Sequence, residues 1–121
     1  MPSIAIVGAG PGLGRSLAHL FGSHGFDVAL VSRNPDKLAA LQGELVAAGI
    51  RAESFPADAA DPNALATALA AAAERFGGID VLEFSPYAGL EVVAPTDATV
   101  ENLTPALEVT LLGGVAAIHA V

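Results

Sequence analysis

A glycine-rich segment directly after a short apolar run constrains the fold of this chain most. Residues 3–7 are mostly apolar and partly β-branched, and residues 8–14 read Gly-Ala-Gly-Pro-Gly-Leu-Gly. A dinucleotide-binding unit begins in this way, with a strand, a glycine turn and a helix. The glycines of such a turn allow a tight bend, a close approach of the backbone to a pyrophosphate, and close packing of the helix on the strand.

The spacing of the glycines distinguishes two versions of this turn. The pattern Gly-x-Gly-x-x-Gly fits Gly8 and Gly10 but requires a glycine at the position of Leu13. The wider pattern Gly-x-x-x-Gly-x-Gly fits Gly8, Gly12 and Gly14 without a mismatch. We therefore predict that Gly8, Gly12, Leu13 and Gly14 contact the phosphates of a dinucleotide at the start of the first helix. The alternative is a strand-to-helix turn that holds no ligand.

The rest of the chain alternates regularly between strand and helix patterns. Apolar runs predict strands over 3–7, 27–31, 50–55 and 79–84, and helical spacing predicts helices over 12–24, 34–49, 61–77 and 104–121. Three of these helices start at a capping residue followed by proline: Asn34-Pro35, Asp61-Pro62 and Thr104-Pro105. Residues 85–103 are expected to form a loop. The alternation predicts one doubly wound α/β domain over 1–121, with parallel strands in the order 3-2-1-4 and strand three at an edge.

Composition limits the classes of partner. The net charge is −8, and all five basic residues precede residue 76, so nucleic acid and anionic membranes are not expected partners. No cysteine is present, which excludes disulfides and fits a cytoplasmic location, as does the absence of a basic N-terminal signal region. The charge-free run 109–121 is too short to span a bilayer. The expected partner is a small molecule.

The residues after the second strand favour NADP over NAD. An NAD-binding unit usually places an acidic residue on the ribose 2′-hydroxyl about twenty residues beyond the glycine turn. Here residues 31–34 read Val-Ser-Arg-Asn, with no acid and with Arg33 beside Ser32. Arginine can pair with a 2′-phosphate and stack on adenine, and Arg15 is expected to add positive potential. The alternative for Arg33 is a solvated surface residue.

Two further residues complete the predicted cofactor contacts. Asp58 follows the third strand, so it is expected at the carboxyl edge of the sheet, where it can accept a hydrogen bond from the adenine amino group. Its alternative role is a turn or capping aspartate, although Asp61 already fills the capping role. Ser85 follows the fourth strand and is predicted to contact the cofactor from the same edge.

With these residues the chain resembles the short-chain dehydrogenase/reductase family. The matching parts are the turn 8–14, Arg33, Asp58 in the run 58–61, and residues 78–82 leading into strand four. The resemblance covers the whole chain but only the cofactor-binding half of the family fold. It implies a Rossmann-like domain that is incomplete relative to the family and truncated after the fourth strand and the following helix. It also implies NADP-dependent hydride transfer between NADP(H) and a carbonyl or alcohol substrate.

The departures from the family pattern concern catalysis. The family's threonine before the first glycine is Val7, its Asn-Asn-Ala-Gly stretch is replaced by residues 84–87, and its helical asparagine aligns with Thr110. The family's reaction uses a tyrosine followed four residues later by a lysine. The only tyrosine is Tyr87, and the residue four positions later is Glu91. We therefore expect no catalytic residue in these 121 residues and no activity from them alone.

Other interpretations remain open at the level of sequence. One is a non-catalytic NADP-binding sensor or regulatory subunit, and another is an interaction module whose glycine turn is purely structural. Tyr87 either lines the nicotinamide side of the cleft or packs in a loop. The histidines have no partners at ligand spacing, so no metal site is expected. The final helix carries apolar residues on two sides, which predicts a homo-oligomer.

Overall fold

The structure is a computed structural model, and it describes residues 1–89 and 92–121. Four parallel strands, β1 (Ser3–Val7), β2 (Asp27–Val31), β3 (Ala52–Ser54) and β4 (Val81–Phe84), form one sheet in the order β3-β2-β1-β4. The predicted fold class, the strand order and the edge position of β3 are therefore confirmed. The edge strands β3 and β4 are shorter than predicted, whereas the two central strands have the predicted bounds.

Helices connect these strands and pack on both faces of the sheet. They are α1 (Leu13–Ser23), α2 (Pro35–Ala47), α3 (Pro62–Phe76), α4 (Val100–Leu107) and α5 (Gly113–Ala120), with a π-helical segment, Glu108–Leu112, between the last two. Two of the predicted caps are confirmed. Asn34 Oδ1 accepts hydrogen bonds from the N–H groups of Asp36 and Lys37, and Asp61 Oδ1 accepts one from Ala64.

The central strands bury both of their faces, which explains why they are continuous apolar runs. One layer of the core joins alternate residues of β1 and β2 to α1 and α2, and it includes Ile4, Ile6, Val28, Leu30, Leu38 and Leu45. The other layer joins the remaining strand residues to α3 and α5, and it includes Ala5, Val7, Ala29, Val31, Leu65, Leu69 and Ala117. The carboxyl ends of β1 and β2 are thereby held rigidly between two helical layers.

The predicted start of the last helix was wrong. The helix begins at Val100 rather than at Thr104-Pro105, and residues 95–97 form a 3₁₀ turn inside the predicted loop. Thr99 is the true cap: its hydroxyl accepts a hydrogen bond from the Asn102 N–H at 3.2 Å, and Asn102 Oδ1 accepts one from the Thr99 N–H at 2.9 Å. This reciprocal pair satisfies two backbone donors, so it fixes the helix start one turn before Pro105.

The continuous helical segment Val100–Ala120 is longer than the charge-free run considered in the sequence. It spans 21 residues and has a mean hydropathy of 1.4 over its best 18-residue window. Among the described residues this one helix is long and apolar enough to cross a membrane by length and composition alone, which is weak evidence. The helix extends beyond the charge-free run 109–121 and includes two carboxylates, Glu101 and Glu108.

Candidate functional site

A cleft of about 1020 Å³ opens at the carboxyl ends of the central strands. Its wall combines the glycine turn, the β2–α2 junction, one face of α2, and the loops after β3 and β4. The C-terminal helical segment closes one side. The residues that line it are Val7–Pro11, Arg15, Ser32–Asn34, Lys37, Ala40, Leu41, Glu44, Ala57–Ala60, Pro86–Ala88, Pro105, Glu108 and Val109. Open α/β sheets bind their ligands in this position.

Gly8 fixes the shape of the turn that begins the cleft. Its φ angle is +95°, a conformation that favours glycine. A Cβ atom at this position would lie 2.7 Å from the Pro86 nitrogen and 2.7 Å from the Ser85 carbonyl carbon. Both neighbours are backbone atoms, so they cannot move aside as a flexible side chain could. Gly8 therefore permits the turn and also permits the loop after β4 to approach it.

Gly14 has a packing role, while Gly12 faces open space. A Cβ atom on Gly14 would lie 2.9 Å from the Ala9 Cα, so glycine lets α1 pack closely on the turn. A Cβ atom on Gly12 would meet no described atom within 4 Å. Gly10 is similarly open, with the nearest atom 3.8 Å away. Of the predicted glycines, Gly8 and Gly14 are therefore required by close backbone contacts, whereas Gly12 leaves space beside the turn.

The N-terminus of α1 presents hydrogen-bond donors beside the cleft. The helix has no side-chain cap and no acidic residue in its first turn. The N–H groups of Gly12, Leu13 and Gly14 have no acceptor among residues 1–89 and 92–121, whereas the next two, those of Arg15 and Ser16, bond to Gly10 and Gly12 carbonyls. Unsatisfied donors at a helix N-terminus favour an anion. In the described part of the chain, Gly12, Leu13 and Gly14 are adjacent to the cleft wall rather than on it.

Two cations stand at the β2–α2 junction. Arg33 and Lys37 both line the cleft and are exposed. Neither makes an ion pair with any carboxylate of the described residues. Ser32 is half-buried, and its carbonyl accepts a hydrogen bond from the Ala57 N–H at 3.0 Å, which ties the β2 end to the β3 loop. Arg33 is thus exposed on the cleft wall, a placement that fits both the predicted 2′-phosphate contact and a solvated surface residue.

Arg15 is paired with a carboxylate. Its Nη2 lies 2.6 Å from Glu44 Oε1, and the same oxygen lies 2.6 Å from His19 Nε2. The hydrogen bond from Arg15, followed by that from His19, lowers the pKa of Glu44 below its ordinary value of 4.5, so the carboxylate is charged at neutral pH. The positive potential expected from Arg15 is therefore largely compensated by Glu44.

Asp58 has the turn role that the sequence offered as its alternative, and it also lines the cleft. Its Oδ1 accepts a hydrogen bond from the Ala60 N–H at 2.9 Å, and its carbonyl accepts one from the Asp61 N–H at 3.0 Å. These bonds make Asp58 a turn residue. It is also exposed on the cleft wall, and its Oδ2 has no donor among the described residues. One carboxylate oxygen of Asp58 is thus held by the turn, and the other has no hydrogen-bond donor among the described residues.

The loop after β4 forms the opposite wall. The Ser85 N–H donates to the Val7 carbonyl at 2.9 Å, so this residue continues the pairing of β4 with β1. Its backbone carbonyl group lies against Gly8. Tyr87 lines the cleft with 75% of its surface exposed, which contradicts the alternative that it packs inside a loop. Glu91, the residue four positions after Tyr87, lies outside the described residues.

Sequence reasoning missed the contribution of two helices to the cleft. One face of α2, with Lys37, Ala40, Leu41 and Glu44 at helical spacing, forms a wall. That periodicity was present in the sequence, but the orientation of the face depends on packing against α1. The π-helical segment contributes Glu108 and Val109, and Thr110 is not on the wall within the described chain. Nor does that part of the chain contain a cluster of three or more metal-ligating side chains.

The family model for short chain dehydrogenases matches residues 2–121. The chain belongs to this family of oxidoreductases. It is 39% identical over 77 residues to the 2,3-dihydro-2,3-dihydroxybenzoate dehydrogenase of Bacillus subtilis, a match that covers 64% of this chain and 30% of that protein. It is also 38% identical over 81 residues to the short-chain reductase protein NovJ of Streptomyces niveus, covering 66% of this chain and 31% of NovJ.

Solved structures show the same relationship. A metagenomic short-chain oxidoreductase in complex with NADP is 28% identical with a TM-score of 0.90, and the match covers 98% of this chain and 54% of that one. A short chain dehydrogenase from Burkholderia cenocepacia in complex with NADP is also 28% identical, with a TM-score of 0.87 and coverage of 98% and 49%. The chain therefore spans about half the length of these structures, and the segments that match the two curated relatives cover less than a third of each of those proteins.

Proposed function

We propose that this chain is the cofactor-binding part of an NADP-dependent oxidoreductase that transfers hydride between NADP(H) and a carbonyl or alcohol substrate. The observation that carries the proposal is a single arrangement at the cleft. Unsatisfied N–H groups at the start of α1 lie beside it, and Arg33 occupies the β2 end where an NAD-binding unit would carry an acid. The NADP complexes of two relatives support the same cofactor for this chain.

We propose that the cleft and the adjacent start of α1 together hold the phosphates of a dinucleotide. The N–H groups of Gly12, Leu13 and Gly14 are suited to the pyrophosphate, and the turn shaped by Gly8 lets its backbone come close. Arg33, beside Ser32, is suited to the 2′-phosphate because a guanidinium forms paired, charge-assisted hydrogen bonds with phosphate oxygens.

The remaining two predicted contacts, Asp58 and Ser85, lie in the loops after β3 and β4 at the carboxyl edge of the sheet. Asp58 lines the cleft and is proposed to accept a hydrogen bond from the adenine amino group, whereas Ser85 lies against Gly8 and is not among the residues that line the cleft in the described chain. These assignments stay predictions until a bound cofactor is observed. A cytoplasmic location and a homo-oligomeric state likewise stay predictions.

Chemistry in this family needs more than the cofactor. A bound nicotinamide supplies or accepts the hydride, and a protein acid/base must supply or accept the proton at the substrate oxygen. The 121 residues contain one tyrosine and one lysine, and these are not in a Tyr-x-x-x-Lys arrangement. Because the chain spans about half the length of its solved relatives, we propose that this part binds and orients the cofactor and that the proton-transfer residues lie in further sequence.

Replacing Arg33 by glutamine tests the cofactor assignment. Hydrogen bonds to charged groups contribute about 1.5–3 kcal/mol, so we expect NADPH to bind at least about tenfold more weakly to the variant. NADH has no 2′-phosphate, so its affinity should be unchanged. The measurement is a fluorescence titration of each reduced cofactor, with Arg75→Gln as a control. That substitution removes the same charge from an ion pair with Glu53 outside the cleft. Equal losses for both cofactors would contradict the assignment of Arg33 to the 2′-phosphate.

A second candidate function is a non-catalytic NADP-binding sensor or regulatory subunit, which would bind the cofactor in this cleft and would need no Tyr-x-x-x-Lys. The intact mass of the protein from its natural source separates the two. A mass near 12.0 kDa together with tight NADPH binding would support the sensor. A mass about twice that, with a Tyr-x-x-x-Lys in the additional sequence, would support the oxidoreductase, since this chain covers about half of its structural relatives.

A further inference from the structure

We propose that Lys37 is a second cation for the cofactor's 2′-phosphate, so that NADP selection in this chain depends on Arg33 and Lys37 acting as a pair. This inference rests on the proposed function and goes beyond it by naming a specificity residue that the sequence pattern did not indicate.

Lys37 is placed at this position by the start of α2. The Asn34 cap holds the first turn through hydrogen bonds from Asp36 at 3.0 Å and from Lys37 at 3.1 Å, and Pro35 stands at the first helical position. Proline restricts the backbone there, so the junction between Arg33 and the helix is stiff. Arg33 precedes the cap and Lys37 follows it, and both line the same cleft.

The pairing of the other basic residues sets these two apart. Arg15 pairs with Glu44 at 2.6 Å, Arg51 with Asp27 at 2.7 Å, and Arg75 with Glu53 at 2.6 Å. The chain has 13 acidic residues and only five basic ones, so carboxylate partners are plentiful. Even so, Arg33 and Lys37 make no ion pair within the described part of the chain. Two uncompensated cations on one cleft wall of an acidic protein indicate that an anionic ligand supplies the counter-charge.

The two side chains have complementary chemistry for a phosphomonoester. Such a group carries about 1.5–2 negative charges at pH 7 and offers three acceptor oxygens. The planar guanidinium of Arg33 can bind two oxygens at once, and the ammonium of Lys37 is a compact charge on a flexible stem that suits the third. Glu44 lies further along the same face of α2 and is occupied by Arg15 and His19, so it does not compete for Lys37.

A charge-matched pair of variants tests the proposal. Lys37→Gln removes one positive charge inside the cleft, and Arg75→Gln removes one outside it. We expect Lys37→Gln to weaken NADPH binding by about tenfold, equivalent to about 1.4 kcal/mol, while NADH affinity changes by less than about twofold. The control should leave the ratio of the two affinities unchanged. Fluorescence titration of each reduced cofactor gives both dissociation constants, and far-UV circular dichroism verifies that the variants are folded.

Chemical footprinting of the unmodified protein provides an independent measurement that does not depend on folding of a variant. Lys37 is the only lysine in these 121 residues, so within them an amine-selective reagent modifies Lys37 and the N-terminal amine, and peptide mapping separates the Lys37 signal from that of any lysine in further sequence. We expect saturating NADPH to slow modification of Lys37 several-fold more than saturating NADH does, with the N-terminus as an internal reference.

The possible results distinguish this inference from the function on which it rests. Unchanged NADPH affinity in Lys37→Gln, or equal protection of Lys37 by both cofactors, would overturn the inference while leaving NADP binding intact. Equal losses of NADPH and NADH affinity would also overturn it, because Lys37 would then contact a part common to both. If the unmodified protein bound neither cofactor, the proposed function itself would fail.

Discussion

Replacing Gly8 by alanine should destabilise the protein strongly, because two separate effects oppose a Cβ atom there. The φ angle of +95° is unfavourable for an L-residue, and a left-handed conformation costs about 1–2 kcal/mol. The new Cβ would also lie 2.7 Å from backbone atoms of Ser85 and Pro86 and 2.8 Å from the Ser85 carbonyl oxygen. Inserting atoms into a packed site typically costs about 1–3 kcal/mol more. The free energy of unfolding should therefore fall by about 2–5 kcal/mol, out of about 5–15 kcal/mol for a typical domain.

Gly43→Ala is the matched control. Gly43 lies in the interior of α2, it is exposed, and a Cβ there would meet no described atom within 4 Å. Alanine is favoured over glycine in a helix interior by about 0.5–1 kcal/mol, so this variant should be slightly more stable than the parent. The same chemical change therefore has opposite expected signs at the two positions.

Urea unfolding followed by far-UV circular dichroism measures both effects. A shift of the midpoint with an unchanged slope reports a change in stability alone. If Gly8→Ala lowered the free energy of unfolding by less than about 1 kcal/mol, the close approach between the glycine turn and the β4 loop would be wrong, since strain and contact together require more. A destabilised Gly43→Ala would instead show that α2 is not a regular helix at that point.

Two further predictions test single contacts. Glu44→Gln should make the melting temperature depend less on pH in the acid range. Arg15 and then His19 lower the folded-state pKa of Glu44. Its stabilising contribution is therefore present above pH 4.5 and is lost as the pH falls through the folded-state pKa. Melting temperatures of both proteins between pH 3 and 6 check this, and parallel profiles would contradict it. Thr99→Ala should cost about 1 kcal/mol through loss of the helix cap, and Thr104→Ala less, in urea unfolding. A larger loss of stability in Thr104→Ala than in Thr99→Ala would indicate that the helix begins at Thr104, as the sequence predicted.

The parts of the fold that sequence reasoning predicted correctly are those determined by nearby residues. The central strands are buried on both faces, so their apolar runs have clear ends, and the Asn34-Pro35 and Asp61-Pro62 pairs each supply a cap and a restricted first turn. Thr104-Pro105 has the same local form but is not a helix start. The difference is a reciprocal partner three residues after Thr99, which the cap-plus-proline pattern does not consider.

The site shows the same division between local and distant causes. The glycine turn and Arg33 follow directly from position after β1 and β2, so they could be predicted. The pairing of Arg15 with Glu44 joins residues 29 positions apart and depends on how α1 packs against α2. The cleft role of Lys37 depends on that same packing. Spacing alone also could not separate Gly8, which the β4 loop crowds, from Gly12, which is open.

The distribution of charge explains how a chain with a net charge of −8 can offer a site to a polyanionic cofactor. The cleft wall carries as many basic residues as acidic ones. The basic residues are Arg15, Arg33 and Lys37, and the acidic residues are Glu44, Asp58 and Glu108. Arg15 and Glu44 compensate each other, which leaves Arg33 and Lys37 at the β2–α2 junction and the acids on other elements. Because salt screens exposed charges beyond about 8–10 Å, the proposed phosphate at this junction would respond mainly to nearby charges, which are the cations Arg33 and Lys37 and the carboxylate of Asp36 in the same helical turn. The acidic surface elsewhere is therefore compatible with the proposed binding of NADP, and the proposed selection for the 2′-phosphate depends on Arg33 and Lys37.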